Sequence, residues 1–184
     1  MTEHVSVAVA ELDGPNAARA DDAFRLVYAE VFADPPCNEA EDDVTATFRR
    51  FRSQTRKTTF RSALARDASG EPVGIAYGYP LAPNTGWWDR LTAPVPDDMR
   101  REDGRRTFGL LGLAVRAPWR GQGIARRLHD AVLNGSEAER VLLNVHPDSK
   151  AAVAAYSTWG YRKAGEARPW EGADLHDVML LELR

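Results

Sequence analysis

The sequence has little cysteine and no long apolar run. Cys37 is the only cysteine in 184 residues, so no disulfide can form within the chain, which favours a reducing, cytoplasmic location. The N-terminal stretch carries acidic residues and no long apolar core, so we expect no signal peptide, and nothing approaches a membrane span. The net charge of −3 argues against nucleic acid as the main partner, and the four histidines lack metal-ligand spacing. We therefore expect no membrane, no nucleic acid and no metal.

The composition is typical of a globular protein. Apolar residues make up 43% and charged residues 28% of the chain. A length of 184 residues suits one domain with a sizeable core, and we find no repeat, low-complexity segment or linker. The sequence predicts a single domain over residues 1–184.

Periodicity in the first third predicts one strand and two helices. The alternating stretch HVSVAVA predicts a strand at about residues 4–10, ended by Gly14 and Pro15. The segment NAARADDAFRLVYAEVF then predicts a helix, with Asn16 as a candidate cap. A second helix over 39–53 has an apolar face formed by Val44, Phe48 and Phe51.

The rest of the chain alternates strands and helices. TTFRSALARD and PVGIAYGYPL predict a hairpin, and the run over 107–115 predicts a buried strand. A helix from about Ile124 to Gly135, a strand over 140–145, a helix ending at Gly160 and two last strands follow. Residues 83–106 predict a long functional loop, whose Trp87 and Trp88 either cover an acceptor pocket or seal the loop to the body. This order predicts a mixed sheet with helices on both faces.

The stretch RGQGIA, residues 120–125, lies where a strand passes into a helix. Helix N-termini present unpaired N–H groups and partial positive charge, and Gly121 and Gly123 would let an anion approach them. Arg120 and Arg126 could add contacts to phosphate. The lysine and serine or threonine of a P-loop are missing, and Arg126 replaces the third glycine of G-x-G-x-x-G. Alone, the stretch fits a phosphate loop and a plain turn equally well.

Two longer motifs lie in the second half of the chain, LAVRAPWRGQGIARRLHDAVL and VLLNVHPDSKAAVAAYSTWGYRKAG, the second of which contains Tyr156 and Gly160-Tyr161. The first resembles the acetyl-CoA-binding motif of the GNAT family of N-acetyltransferases, and the second resembles the second half of that family's pattern. The motifs stand in the family's order, and the resemblance covers almost the whole chain. It implies an α/β (α+β) GNAT fold, with a mixed central sheet of six to seven strands flanked by about four helices.

The resemblance also implies an activity and its site. It implies an acetyltransferase in which a primary amine, most simply of a small molecule, attacks acetyl-CoA directly in a ternary complex. Backbone groups of the strand would hold the pantetheine arm, the loop would hold the pyrophosphate, and Tyr156 would protonate the leaving thiolate. The cofactor-binding residues that it implies are Leu113, Ala114, Val115, Arg120, Gly121, Gln122, Gly123, Ile124, Ala125, Arg126 and Ser149.

The sequence departs from the family pattern at two places. Many members carry a glutamate, the general base, on the strand before the loop, but this strand has Gly109 and Gly112 and no acid. The candidates elsewhere are Glu30, Asp34, Glu39, Asp89 and His146, although His146 fits a strand-end cap better and Glu39 fits a helix dipole. Ser149 stands where the family often has asparagine, and it also fits a helix cap.

Several alternatives stay open from the sequence alone. The missing glutamate also fits an acyl-CoA-binding module that acts as a sensor or partner. The acyl donor could be another acyl-CoA, the acceptor could be a protein N-terminus or lysine, and a homodimer remains open. Net acidity and the mixed Asp/Arg loop at 89–106 favour a small cationic amine.

Overall fold

A computed structural model describes residues 6–184 as seven strands, six α-helices and two short 3-10 turns. The strands form a mixed sheet in the order β1-β2-β3-β4-β5-β7-β6, in which β4 and β5 are parallel. The elements are β1 Val7–Leu12, α1 Gly14–Arg19, α2 Asp21–Phe32, α3 Glu41–Gln54, β2 Arg61–Asp67, β3 Pro72–Pro80, α4 Asp97–Arg100, β4 Thr107–Val115, α5 Ile124–Leu133, β5 Arg140–Val145, α6 Lys150–Thr158, β6 Arg162–Ala167 and β7 His176–Glu182. The mixed sheet and its seven strands confirm the predicted fold class.

The chain divides into two compact units. The first contains the residues up to Tyr79 together with Leu111–Ser136, and the second contains Pro80–Leu110 and Glu137–Arg184. Strand β4 contributes residues to both units. One domain over residues 1–184 stays a prediction.

Aromatic side chains build the core of the first unit. The ring centroids of Phe24 in α2 and Phe51 in α3 are 5.2 Å apart. Phe51 contacts the Tyr77 ring edge-on, with their centroids 5.0 Å apart. Each such side chain contributes about 1.5–3 kcal/mol by leaving water. Val44, Phe48 and Phe51 are buried as the helical spacing predicts.

A buried ion pair lies beside the core of the second unit. The Trp88 indole donates to Glu102 at 2.8 Å, and Arg140 donates to the same carboxylate at 3.1 Å. Arg140 also donates to the Thr107 hydroxyl at 2.7 Å. Trp88 thereby packs the segment between β3 and β4 against this unit, in agreement with the prediction that it seals the loop to the body of the protein.

The N-terminal elements correct several sequence expectations. Asp13, not Asn16, caps the first helix, because the Asp13 carboxylate accepts the Asn16 backbone N–H at 3.0 Å. Strand β1 ends before Gly14 and Pro15, as predicted, and these two residues also begin α1, where the missing proline N–H costs no helical bond. The predicted strand at 4–10 lies partly outside the described residues, within which β1 is Val7–Leu12.

The helix content also exceeds the prediction. The segment NAARADDAFRLVYAEVF, which the periodicity predicts as one helix, belongs to two helices, α1 and α2, which are separated at Ala20. The predicted loop at 83–106 contains a 3-10 turn at Trp87–Arg90 and the short helix α4. The described residues thus contain six helices where the resemblance implies about four, and the fold class stands as predicted.

Most later boundaries follow the sequence. Strands β4 and β5 have the predicted bounds, and β2 pairs with β3 as the predicted antiparallel hairpin. Gly160, with a φ of +102°, follows the end of α6. Across residues 6–184, no helix combines the length and apolarity that crossing a membrane would require.

Candidate active site

Strand β4 carries one extra residue relative to β3. The Leu81 N–H donates to the Thr107 carbonyl at 2.8 Å, and the Arg116 N–H donates to the Val73 carbonyl at 2.9 Å. Val73 and Leu81 are eight positions apart, whereas Thr107 and Arg116 are nine apart. In an antiparallel pair, this difference of one defines a β-bulge, which redirects backbone groups locally.

Alternate residues near the C-terminal end of β4 direct their backbone groups to opposite edges of the strand. Because Arg116 bonds to β3, Ala114 also directs its backbone groups towards β3, and its side chain joins the aromatic core. The Val115 carbonyl points to the opposite edge, where it accepts the Arg120 Nε–H at 2.9 Å, and strand alternation then directs the backbone groups of Leu113 to the same edge. The register of β4 with β5 covers Thr107–Gly109, so Leu113 and Val115 lie past it.

The glycine loop forms an open corner at the start of α5. Gly121 and Gly123 have φ angles of +76° and +78°, a left-handed conformation that favours glycine. An added Cβ at either position would have no atom of the described chain within 4 Å. Gly123 occupies the N-cap position, and no side chain of residues 6–184 caps this helix. The backbone N–H groups of its first turn therefore suit an anion.

The other predicted loop residues share this corner. Gln122 is exposed, Ile124 is buried, and Ala125 is partly buried on the first turn of α5. Arg126 contacts both oxygens of Asp130 at 3.1 Å through Nε, one helical turn away. The structure thus brings together the predicted residues from Leu113 to Arg126 in the first unit.

Packing explains the two glycines of β4. A Cβ on Gly112 would lie 2.4 Å from the Tyr77 ring, and one on Gly109 would lie 2.8 Å from the Leu81 side chain. The Tyr77 ring thus occupies the space that a side chain at position 112 would need. No carboxylate can stand there while Tyr77 keeps its place.

Among the candidate bases, Glu39 has the most unusual surroundings. Its carboxylate accepts the Tyr28 hydroxyl at 2.7 Å, and burial raises the pKa of Glu39. Helix α3 begins two residues later, with Ala40 as its N-cap. Glu39 therefore bonds to a tyrosine rather than to the start of the helix.

Of the other candidate bases, two carboxylates form ion pairs with arginines and a third is exposed. Glu30 forms an ion pair with Arg116, with an N–O distance of 2.5 Å. Asp89 pairs with Arg100 at 2.6 Å and is largely exposed. Asp34 is exposed in the segment between α2 and α3. Glu39, in contrast, is partly buried, and burial raises its pKa.

His146 lies in the second unit, at the end of β5. Its Nδ1 accepts the backbone N–H of Asp148 at 3.1 Å, and its Nε2 lies 3.0 Å from the Asp174 carboxylate. A nitrogen that accepts an N–H carries no proton, so Nε2 carries the proton and donates to Asp174. Both ring nitrogens are engaged, in agreement with the strand-end cap.

Tyr156 and Ser149 belong to α6 of the second unit. Tyr156 is 8% exposed, and its ring contacts Trp159 and Tyr161 edge-on at 5.5 and 5.4 Å. Burial raises the pKa of Tyr156, so the phenol stays protonated at neutral pH. Ser149 occupies the N-cap position, but its side chain makes no capping hydrogen bond, contrary to the cap expectation.

Tyr28 and Tyr77 are the residues near these groups that the sequence did not single out. Both belong to apolar patterns, Tyr28 on a helix face and Tyr77 in a strand, and neither has a local motif. Only their contacts with Glu39 and with the Gly112 position distinguish them. The part of the chain that the structure describes contains no cluster of three potential metal ligands.

Solved structures share this fold at low sequence identity. PaiA N-acetyltransferase from Thermoplasma acidophilum in complex with coenzyme A is 12% identical, over 96% of this chain and 99% of that chain, with a TM-score of 0.63. The ribosomal-protein-S18-alanine N-acetyltransferase from Escherichia coli is 17% identical, over 97% and 94%, with a TM-score of 0.63. The GNAT family N-acetyltransferase YhbS from Escherichia coli, in complex with CoA, is 16% identical over 100% and 85%, with a TM-score of 0.61.

The family comparison covers most of the chain. A search of curated proteins finds no significant match. The model of the acetyltransferase (GNAT) family matches residues 24–161, which include the aromatic core helices, β4, the glycine loop and Tyr156. The chain therefore belongs to the GNAT acetyltransferase family and is an acyl-CoA-dependent N-acyltransferase.

Proposed function

We propose that this protein transfers the acetyl group of acetyl-CoA to the primary amine of a small molecule. The open glycine corner before α5 carries the proposal. Its two left-handed glycines and uncapped helix N-terminus, within residues 6–184, fit a pyrophosphate, and Arg120 and Arg126 add positive charge. The outward-facing backbone groups of Leu113 and Val115 suit the amides of a pantetheine arm, which would pair with β4 as a short strand does.

The reaction is a direct displacement at the thioester. The neutral amine attacks the carbonyl carbon, the N–C bond forms, and the C–S bond breaks with its electron pair on sulfur. A backbone N–H near Leu113 polarises the carbonyl oxygen. Tyr156, which burial keeps protonated, donates its proton to the thiolate. As the amide forms, the nitrogen loses one proton to solvent, and the Tyr156 phenolate takes one back from solvent. The proposal includes the role of Tyr156 as general acid. It also includes the binding of acetyl-CoA by Leu113, Ala114, Val115, the loop residues and Ser149.

The acceptor is a small cationic amine. The net charge of −3 supports this class, since it attracts cations over a distance. A protein N-terminus is the second candidate acceptor, because the similar Escherichia coli structure is named for alanine of a ribosomal protein. A cytoplasmic location and a homodimer belong to the proposal as well.

Two measurements test the proposal. Calorimetry with acetyl-CoA should show binding, and thiol release should then depend on one of a panel of polyamines, amino sugars and an alanine N-terminal peptide. If only the peptide is acetylated, the acceptor is a protein N-terminus and the assignment to a small molecule is wrong. Failure to bind acetyl-CoA would contradict the loop model, and binding without turnover would contradict the transferase reaction.

A further inference from the structure

An amine that attacks a thioester must first lose a proton. Primary amines are mostly protonated at neutral pH, so a group of the protein has to accept that proton or relay it. Strand β4 carries no acid, and the Tyr77 ring fills the space beside Gly112. The proton acceptor must therefore come from another element.

Two hydrogen bonds hold Glu39 in the segment between α2 and α3. Its backbone N–H donates to the Phe32 carbonyl at 2.8 Å, at the end of α2. Its carboxylate accepts the Tyr28 hydroxyl at 2.7 Å. The Tyr28 ring is fixed against Phe32 and Phe48, with centroids 4.3 and 5.6 Å away. Both the main chain and the side chain of Glu39 are thus positioned.

Glu39 is linked through Tyr28 to the face of the sheet on which the Tyr77 ring covers the Gly112 position. The Tyr28 hydroxyl donates to Glu39, and the Tyr28 and Tyr77 rings pack into one buried cluster that also includes Ala114 of β4. Tyr77 and Glu39 both belong to the first unit, as Gly112 does. An acid from the segment between α2 and α3 therefore acts close to the place where β4 has none.

Several charged groups share this environment. Burial raises the pKa of Glu39, the Tyr28 hydrogen bond lowers it, and Asp43 and Arg50 of α3 raise and lower it respectively. Asp43 itself caps α3, accepting the Ala40 N–H at 2.9 Å. The net effect is a carboxylate that holds a proton more readily than an exposed glutamate does.

We propose that Glu39, positioned by Tyr28, accepts the proton that the acceptor amine loses. The proposal rests on the proposed function. The ammonium transfers one proton to the carboxylate, and the freed lone pair attacks the thioester. As the C–S bond breaks, the nitrogen loses its second proton to solvent and the thiolate takes the Tyr156 proton. The protonated Glu39 and the Tyr156 phenolate then return to their starting states by proton exchange with solvent. Tyr28 is a positioning residue, whose hydroxyl also stabilises the carboxylate form.

The test compares three full-length variants with the acceptor that the wild-type protein acetylates best. Glu39→Gln should lower kcat/KM by about 10²-fold at neutral pH, with unchanged acetyl-CoA affinity. The loss should shrink as the pH approaches the amine pKa, where the acceptor arrives already neutral. Glu41→Gln, at a neighbouring exposed acid, is the matched control and should follow the wild type.

Tyr28→Phe gives a second readout. Activity requires the Glu39 carboxylate, so kcat/KM falls as the pH drops through its pKa. Removing the Tyr28 hydroxyl removes a hydrogen bond that lowers the pKa of Glu39, so the acidic limb should move to higher pH. Equal losses at every pH, or a Glu39→Gln variant that matches the wild type, would overturn the proposal while leaving the transferase reaction intact. A wild-type protein that acetylates no amine of the panel would overturn both.

Discussion

Replacing Gly112 by alanine should lower the free energy of unfolding by about 1–3 kcal/mol. The new Cβ would lie 2.4 Å from Cε1 of Tyr77, which real Cβ atoms essentially never show. The ring cannot swing away freely, since Phe51 and Phe60 lie 5.0 and 6.1 Å from its centroid. The φ of Gly112 is not positive, so the cost comes from the clash and not from backbone strain.

Urea unfolding followed by circular dichroism measures this cost. For a chain of 184 residues the same loss corresponds to a Tm lower by about 2–12 °C. Gly86→Ala is the matched control, because Gly86 has a φ of −85° and a Cβ there would meet no described atom within 4 Å. It should leave stability unchanged or raise it by up to about 1 kcal/mol.

A third variant tests the cause directly. Tyr77→Leu removes the ring carbons that the new Cβ would strike, so Gly112→Ala should cost less in that background than in the wild type. Equal costs in both backgrounds, or a Gly112→Ala protein as stable as the wild type, would refute the argument that Tyr77 excludes a side chain from this position.

The remaining predictions concern the loop, the general acid and the buried ion pair. Gly123→Val should weaken acetyl-CoA binding more than tenfold in calorimetry, because valine strains at this φ and intrudes on the open corner, whereas Gly70→Val at an equally left-handed turn should not. Tyr156→Phe should lower kcat by about 10²-fold with unchanged acetyl-CoA affinity, and unchanged kcat would contradict its role as general acid. Glu102→Gln should cost about 3–5 kcal/mol of unfolding free energy, because it leaves the buried Arg140 guanidinium unpaired. Adding Arg140→Met should restore part of that loss in urea unfolding, and no restoration would show that charge burial is not its cause.

Local patterns predicted the elements wherever periodicity and turn chemistry agree. The apolar run of β4 and the left-handed glycine after α6 mark boundaries that the structure confirms. The apolar spacing in α3 identified its buried face for the same reason, since one stripe of a helix meets the core. The glycine loop was found by its motif, and its role as the pyrophosphate site stays a prediction.

Other features could not be read from the chain because they depend on contacts between distant residues. Asp13 and Asn16 are both good caps by type, and only the backbone geometry selected Asp13. The bulge in β4 follows from its register with β3, which no local pattern contains. From the sequence, Gly112 marks a place where the general base of the family is missing. The structure shows that the Tyr77 ring occupies the space that a side chain there would need.

Sequence alone determined the order of strands and helices, the family resemblance and the position of the glycine loop, because these depend on residue type and short-range spacing. Tertiary structure decided which backbone groups of β4 turn away from β3 and why position 112 must be glycine. It also paired Glu39 with Tyr28, which lies eleven residues before it in the chain. Such contacts arise only when helices pack on a sheet, because packing brings together side chains whose separation along the chain carries no signal.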